Sequence, residues 1–370
     1  MPGVRSQLLH KTVFASAGIA KSLPLTPELL KIHVGGCFPL ARDPIKDQRA
    51  AIIGMLVLRQ AFEGWKGPLD PKSLLKSSGW AYGIDGIEGA GVVSGGVVVD
   101  GYRLALQYAC TDAVLVGSGT AARETGYLWQ PYTPLSWPHV QAADPQLGAK
   151  LQEQRKLWQE LGYLSARSRP AQIIITQSGD KQRDGADFLD SRAVRETVHA
   201  DGSGDEMEVY LLTSERGAER IRERGPALGI PLERLDKMIL KLSAEASPDL
   251  IDVAAVPSFL FSKLGVRIAN HDGGPAVLRS FLEEGAIDQL NLTFCRGDSL
   301  LESLWKTPWI PEETKQRISK EFKERVQMLD LGRAAEAGCL PGSLLEALYL
   351  IEQSNTPPQA SLATFACLRA

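Results

Sequence analysis

The chain has 370 residues, of which 44% are hydrophobic and 23% are charged, and its formal net charge is −3. These fractions are close to the soluble globular average, so they exclude collagen, a coiled coil and a wholly disordered chain. The apolar runs fall far short of the ~20 residues that a membrane-spanning helix needs. A near-neutral charge without a long basic block argues against nucleic acid as the main partner.

The cysteine pattern argues against a structural metal site. Five scattered cysteines form no C-x-x-C pair. This pattern disfavours both a disulfide framework and zinc, so we expect reduced thiols in a cytoplasmic protein and no bound metal. The first 27 residues contain no acidic residue. We interpret them as an ordinary basic arm, with an organelle transit segment as the alternative.

Residues 1–78 are predicted to form a helical N-terminal extension. Thr26 and Pro27 are typical of a helix start. The apolar residues between Asp47 and Glu63 fit a buried helix, which Gly67 and the prolines after it would end.

From residue 79 to 296 short aliphatic runs alternate with helical patterns. The predicted strands are Trp80–Ile84, Gly91–Val93, Ala113–Gly117, Gln172–Thr176, Glu208–Thr213, Lys237–Leu242, Val266–Asn270 and Gln289–Phe294. The predicted helices are Gly101–Cys110, Gln146–Leu161, Ser214–Arg224, Pro248–Leu264 and Pro275–Gly285. Such alternation predicts an α/β domain with a mostly parallel sheet, whose ligand lies at the carboxyl ends of the strands.

Two further segments complete the prediction. Gly179–Glu206 is polar and glycine-rich, which is typical of a mobile surface loop. Residues 297–370 are predicted to be an extension that packs on the core. It contains helical patterns over Pro311–Leu329 and Ser343–Glu352 and a final strand over Leu362–Leu368.

Two glycine-containing turns are the main candidates for ligand binding. They are Gly117, Ser118, Gly119 and Thr120 after one strand, and Asp272, Gly273, Gly274 and Pro275 after another. Glycines let a ligand approach the backbone, and free N–H groups at a helix start favour phosphate. Together the turns are suited to the two phosphates of a dinucleotide, although each also fits simple strand–helix packing. Neither matches G-x-G-x-x-G, so an ordinary Rossmann site is disfavoured.

Several stretches follow one another in an order that is characteristic of a known family. They are W-A-Y-G-I-D-G at 80–86, V-S-G at 93–95, D-A-V-L-V-G-S-G-T at 112–120, E-T-G-Y at 124–127, Q-I-I-I-T-Q-S at 172–178, V-Y-L-L-T at 209–213 and D-G-G-P-A-V-L-R-S-F-L-E-E-G-A-I-D-Q-L-N-L-T at 272–293. With this set the chain resembles the dihydrofolate-reductase-like family, specifically the pyrimidine reductases of riboflavin biosynthesis and their stand-alone relatives.

The resemblance implies a dihydrofolate-reductase-like fold with about eight mostly parallel strands, helices on the flanks, NADPH along the carboxyl edge and a homodimer. It implies hydride transfer to a C=N or C=O group of a small molecule. The residues implied to contact NADPH are those of the two glycine turns, Thr176, Gln177 and Ser178 near the adenosine 2′-phosphate, and Thr213 and Ser214 after the next strand. Asp85 is the implied proton donor, with a turn-forming aspartate as the alternative.

The chain also departs from the family pattern. Gly83 replaces a serine, Arg103 is the only cation between Val97 and Cys110, and Cys295 stands where a proline is usual. The zinc deaminase signature is absent, so deamination is not expected. The substrate is therefore either the riboflavin-pathway pyrimidine or another small imine or carbonyl compound, and the choice between NADPH and NADH stays open. The alternative function is a non-redox member that uses the fold as a binding module or for another reaction. His271 is interpreted as structural, with an approach to the nicotinamide as its alternative.

Overall fold

A computed structural model of the protein describes residues 10–11, 21–30, 33–34, 37–40, 42–60, 98–136, 141, 144–196, 207–272, 277–278, 280–281, 284–296, 316, 345–351 and 363–368. The strands are β1 (His10–Lys11), β2 (Lys21–Pro24), β3 (His33–Val34), β4 (Cys37–Leu40), β5 (Ala51–Gln60), β6 (Ala113–Gly117), β7 (Ala171–Thr176), β8 (Val209–Thr213), β9 (Ile239–Lys241), β10 (Ser243–Ala244), β11 (Ser247–Ile251), β12 (Ile268–His271), β13 (Gln289–Arg296), β14 (Leu345–Ile351) and β15 (Ala363–Leu368). The helices are α1 (Pro27–Leu30), α2 (Pro44–Asp47), α3 (Val98–Ala109), α4 (Ser118–Arg123), α5 (Tyr132–Leu135), α6 (Leu147–Glu160), α7 (Arg192–Arg195), α8 (Glu215–Arg224), α9 (Leu232–Met238) and α10 (Val256–Leu264).

Eleven of these described strands form one sheet. Their order is β3-β1-β15-β14-β13-β5-β12-β6-β7-β8-β9, and every neighbouring pair is parallel except β14 and β15. Parallel neighbours need crossover connections, and helices supply them between β6, β7 and β8. This confirms the predicted α/β class with a mostly parallel sheet, although the sheet has eleven strands rather than about eight. The architecture is consistent with the dihydrofolate-reductase-like fold that the motifs imply.

The central strands are buried on both faces because their side chains alternate between two apolar layers. Val114 and Val116 of β6 face one layer, together with residues of α3, α6 and α8. Leu115 of β6 faces the other layer, to which α10 and Phe281 also belong. Strands covered on both sides need continuous apolar runs, and this explains why β6 and β7 lack strict polar alternation.

The predicted helix between Asp47 and Glu63 is wrong. This segment contains the strand β5, which lies between β12 and β13 at the centre of the sheet. A continuous apolar run fits a buried strand as well as a buried helix, because periodicity alone does not separate the two. Part of residues 1–78 therefore belongs to the core sheet rather than to a helical extension.

Two other predicted helices need correction for related reasons. Ser343–Glu352 contains the strand β14, again an apolar run that pairs in parallel with β13. Pro248–Leu264 is helical only from Val256, because β11 first pairs back on β10 as a short antiparallel ribbon. The boundary near residue 78 and the strands Trp80–Ile84 and Gly91–Val93 lie outside the described residues and stay predictions.

Candidate functional site

The strands that lead into the two glycine turns are direct neighbours in the sheet. β6 pairs in parallel with β12, so their carboxyl ends lie at the same edge. His271 lies opposite Leu115, and the backbone N–H of Asp272 donates to the carbonyl oxygen of Leu115 over 2.9 Å. The second turn therefore begins beside the strand that enters the first. Gly273, Gly274 and Pro275 lie outside the described residues.

The first turn lies partly open at the surface. Gly117 is buried and precedes α4, whereas Ser118, Gly119 and Thr120 are half-buried. A Cβ atom on Gly119 would meet the side chains of Gln182 and Arg123 at 3.5 Å, which is ordinary van der Waals contact. The chain thus has room for a methyl group at Gly119. The glycine is not required there by crowding within the protein itself, at least among the described residues.

A buried tyrosine holds the start of the second turn. The Tyr108 hydroxyl, at the end of α3, donates a hydrogen bond to the carboxylate of Asp272. Burial, and then the nearby Asp272 carboxylate, raise the pKa of Tyr108 well above its usual value, so the hydroxyl keeps its proton. Tyr108 was not among the predicted site residues. The available signal is that a tyrosine on a buried helix face needs a hydrogen-bond partner.

Two polar side chains next to this turn are fully buried. Asn270 has no hydrogen-bond partner for its amide among the described residues, and neither has the ring of His271. The His271 ring packs against Phe281 with the ring centroids 5.0 Å apart. Burial lowers the pKa of His271 to about 4, so the ring is neutral at physiological pH. These contacts support the structural interpretation of His271.

The predicted residues after β7 and β8 divide into a buried and an exposed set. Thr176, Thr213 and Ser214 are buried, whereas Gln177 and Ser178 are exposed. Thr176 and Thr213 lie side by side in the β7–β8 register. The buried three therefore shape the joint between the two strand ends. Of these five residues, only Gln177 and Ser178 present their side chains to solvent.

Hydrogen bonds and close backbone packing fix this joint. The Ser214 hydroxyl donates to the carbonyl oxygen of Gln177 over 2.8 Å, and it accepts from the N–H of Gly217 over 2.9 Å as the N-cap of α8. A Cβ on Gly217 would collide with the Thr213 hydroxyl, and one on Gly179 would collide with the Gly217 carbonyl. The loop after β7 thus rests directly on the first turn of α8.

Three arginine–aspartate pairs tie the following loop to the helices at this edge. Arg123 of α4 lies 3.1 Å from Asp184, Arg220 of α8 lies 2.6 Å from Asp180, and Arg224 pairs closely with Asp187. Phe188 and Leu189, which follow, are fully buried. The first part of the predicted mobile loop Gly179–Glu206 is therefore anchored at both helices. Residues 197–206 lie outside the described part of the chain.

Three further questions concern the proton donor, a metal site and a membrane-spanning helix. Asp85 lies outside the described residues. Among the described residues, no cluster of three or more histidine, cysteine or acidic side chains is suited to a metal ion. Within the same ranges, no helix combines the length and the apolar character that crossing a membrane requires.

Comparison with known proteins shows similarity at the level of structure but not of sequence families. No family model matches the chain, and no curated protein matches it. The structure is similar to that of a pyrimidine reductase-like protein from Corynebacterium diphtheriae. The two are 14% identical, the alignment covers 87% of this chain and 93% of that chain, and the TM-score is 0.41.

Proposed function

We propose that the protein is a dihydrofolate-reductase-like reductase that binds NADPH at the carboxyl edge of its sheet and acts on a C=N or C=O group of a small molecule. The observation that carries this proposal is the pairing of β6 with β12, which brings the starts of both glycine turns to one edge. Open parallel sheets bind their ligands at such an edge. The bound cofactor would supply the hydride.

The first turn is suited to the pyrophosphate side of the cofactor. Gly117, Ser118, Gly119 and Thr120 would present backbone N–H groups and two hydroxyls to phosphate oxygens. Gly273, Gly274 and Pro275 of the second turn are proposed to close over the same group. Half-buried Gly119 lets a ligand come against the backbone, which a larger side chain would prevent.

We assign Asp272 to positioning the second turn rather than to contacting a phosphate. Two anions in contact repel each other, and a carboxylate close to a diphosphate would weaken binding. The Tyr108 hydroxyl occupies this carboxylate with a hydrogen bond and fixes its direction. Tyr108 and Asp272 would therefore hold the turn in place before the cofactor arrives.

The adenosine side would lie against the exposed Gln177 and Ser178. Thr176, Thr213 and Ser214 would act indirectly, because they are buried and shape the backbone beneath these two residues. The substrate would enter beside the nicotinamide. Reduction of an imine or a carbonyl also needs a proton on the heteroatom, and Asp85 is the proposed donor.

Titration of the purified protein with NADPH, followed by nicotinamide fluorescence, tests the proposal. Saturable binding below about millimolar concentration is expected for a typical cofactor site. Gly119→Ala should weaken NADPH binding about tenfold, because the methyl group would stand where a phosphate approaches.

Gly126→Ala is the matched control, since a Cβ there meets no atom within 4 Å. It should leave the affinity unchanged. If the wild-type protein shows no saturable binding, the reductase proposal fails, and the non-redox alternative takes its place.

A further inference from the structure

Arg220 lies beside the exposed end of β7. Its Nη1 atom is 2.6 Å from Oδ2 of Asp180 and 3.4 Å from the carbonyl oxygen of Ser178. The Arg220 and Asp180 side chains are 39% and 46% exposed. A guanidinium is thus held within contact distance of a serine that faces solvent at the ligand edge.

The other two arginines of this edge are engaged elsewhere. Arg224 donates to the Gly179 carbonyl as well as to Asp187, whose carboxylate also accepts from the N–H of Leu189. This pair is more buried and anchors the loop. Arg123 contacts the Gly119 carbonyl and Asp184 at the end of β6. Of the described arginines, Arg220 is the one with a contact to Ser178.

We propose that Arg220 makes the protein prefer NADPH over NADH, by exchanging the Asp180 carboxylate for the 2′-phosphate of the cofactor. This inference rests on the proposed function. The sequence contains no arginine close to Ser178 other than Arg183. The fold brings Arg220 of α8 beside Ser178 from 42 positions away in the sequence.

The exchange is favourable once a phosphate is present, because the ion pair that opens is weak and the ion pair that forms is stronger. In the absence of ligand, Asp180 keeps the guanidinium oriented and neutralised. A half-exposed ion pair contributes little in water, so its opening costs little. A phosphate monoester carries more negative charge than a carboxylate, and a guanidinium binds it with two parallel N–H groups.

The turn after β7 is ordered before any phosphate binds. The Ser178 hydroxyl accepts from the N–H of Asp180 over 3.2 Å, and the Thr176 hydroxyl accepts from the N–H of Gly179 over the same distance. These bonds fix the backbone that presents Ser178. Little conformational entropy is therefore lost when the ligand arrives.

Calorimetric titration of four ligands tests the assignment: NADPH, NADH, adenosine 2′,5′-bisphosphate and AMP. Arg220→Gln should weaken NADPH and the bisphosphate about tenfold or more, because each loses a charge-assisted hydrogen bond. NADH and AMP, which lack the 2′-phosphate, should bind as to the wild type.

Arg222→Gln is the matched control on the same helix. Arg222 pairs with Asp236 over 2.7 Å, and the two side chains are 37% and 49% exposed, close to the values of the Arg220 pair. The control should bind all four ligands like the wild type. That result would show that the loss of a positive charge on α8 is not enough to weaken NADPH and the bisphosphate selectively.

Asp180→Asn is the reciprocal variant, because it removes the competitor and keeps Arg220. It should tighten NADPH and the bisphosphate a few-fold and leave NADH unchanged. It decides the question if Arg220→Gln unfolds. Equal losses for NADPH and NADH in Arg220→Gln, or no loss, overturn the assignment of Arg220 alone. If the wild type binds neither dinucleotide, this inference falls together with the proposed function.

Discussion

Charged groups have opposite roles at the two ends of the parallel strands, which we call the amino edge and the carboxyl edge of the sheet. At the amino edge the fully buried Asp112 accepts from the N–H and the hydroxyl of Ser165, each over 2.7 Å, and from the N–H of Arg267 over 2.8 Å. At the carboxyl edge Arg220 and Asp180 form one half-exposed pair. The first arrangement leaves no capacity for a ligand. The second can open at little cost, and this difference separates a structural network from the proposed binding edge.

Removal of Asp112 should have the largest effect on stability. Asp112→Ala leaves the N–H groups of Ser165 and Arg267 without an acceptor, and each such loss costs about 1–3 kcal/mol. We expect the free energy of unfolding to fall by about 4 kcal/mol. Urea denaturation measures it. Ser178→Ala at the other edge should change stability by less than about 0.5 kcal/mol, and similar losses for the two variants would abolish the distinction between the edges.

The buried His271 should make stability depend on pH. Its pKa is lowered from 6.5 to about 4 in the folded protein, so the unfolded chain binds more protons between these values. Stability is thus complete above the unfolded pKa and is lost as the pH falls from about 6.5 toward 4. The loss is at most about 3 kcal/mol.

Urea denaturation of wild type and His271→Phe over this pH range measures the effect. The variant should lose the histidine contribution to the pH dependence. An unchanged slope would mean that His271 titrates normally and is not sealed in the apolar layer.

Gly217 should tolerate no side chain at the carboxyl edge. A Cβ there would collide with the Thr213 hydroxyl and lie 2.7 Å from the Gln177 carbonyl. Gly217→Ala should cost about 2 kcal/mol through overpacking and displace the β7 loop. NADPH affinity should fall together with stability, in fluorescence titration and thermal unfolding. Gly126→Ala should leave both measurements unchanged. If Gly217→Ala also changed neither, the β7 loop would not be closely packed on α8.

Loss of the Tyr108 hydroxyl should lower stability less than the changes at Asp112, His271 and Gly217, by about 1 kcal/mol, because the half-buried Asp272 keeps access to water. Tyr108→Phe should still weaken NADPH binding several-fold, since the second turn loses its positioning contact. Tyr210→Phe is the control, because its hydroxyl also binds a carboxylate, that of Glu208, but at the amino edge. Equal cofactor affinities of the two variants would contradict a role for Tyr108 in the site.

Local patterns predicted several core elements closely. Ala113–Gly117 has the same bounds in sequence and structure, α6 is one residue shorter than its prediction at each end, and α8 is one residue shorter at its start. These segments have clear periodicity or clear flanking breakers. β5 failed because its apolar run carries no periodic signal that separates a strand from a helix.

The sequence predicts the candidate site only where that site depends on local chemistry. The sequence shows each glycine turn as glycines between an aliphatic run and a helical pattern. The strands before the two turns are confirmed as neighbours. Tyr108 and Arg220 reach the site across 164 and 40 positions, so no local pattern links them to it. Thr213 and Ser214, which were predicted to contact the cofactor, are buried, and we propose that they act through the joint. The roles of all the predicted site residues stay predictions, those of Asp85, Gly273 and Gly274 included.

The place of β12 has a consequence for how the chain folds. β12 lies between β5 and β6, although it follows both in the chain by more than a hundred positions. Until residue 268 is available, β5 and β6 have no shared neighbour, and each exposes an unpaired edge. Such non-local closure is slow because the loop entropy is lost before the contacts form. During synthesis the unpaired edges of β5 and β6 would therefore have to be protected from pairing with other chains until the last third of the chain emerges from the ribosome.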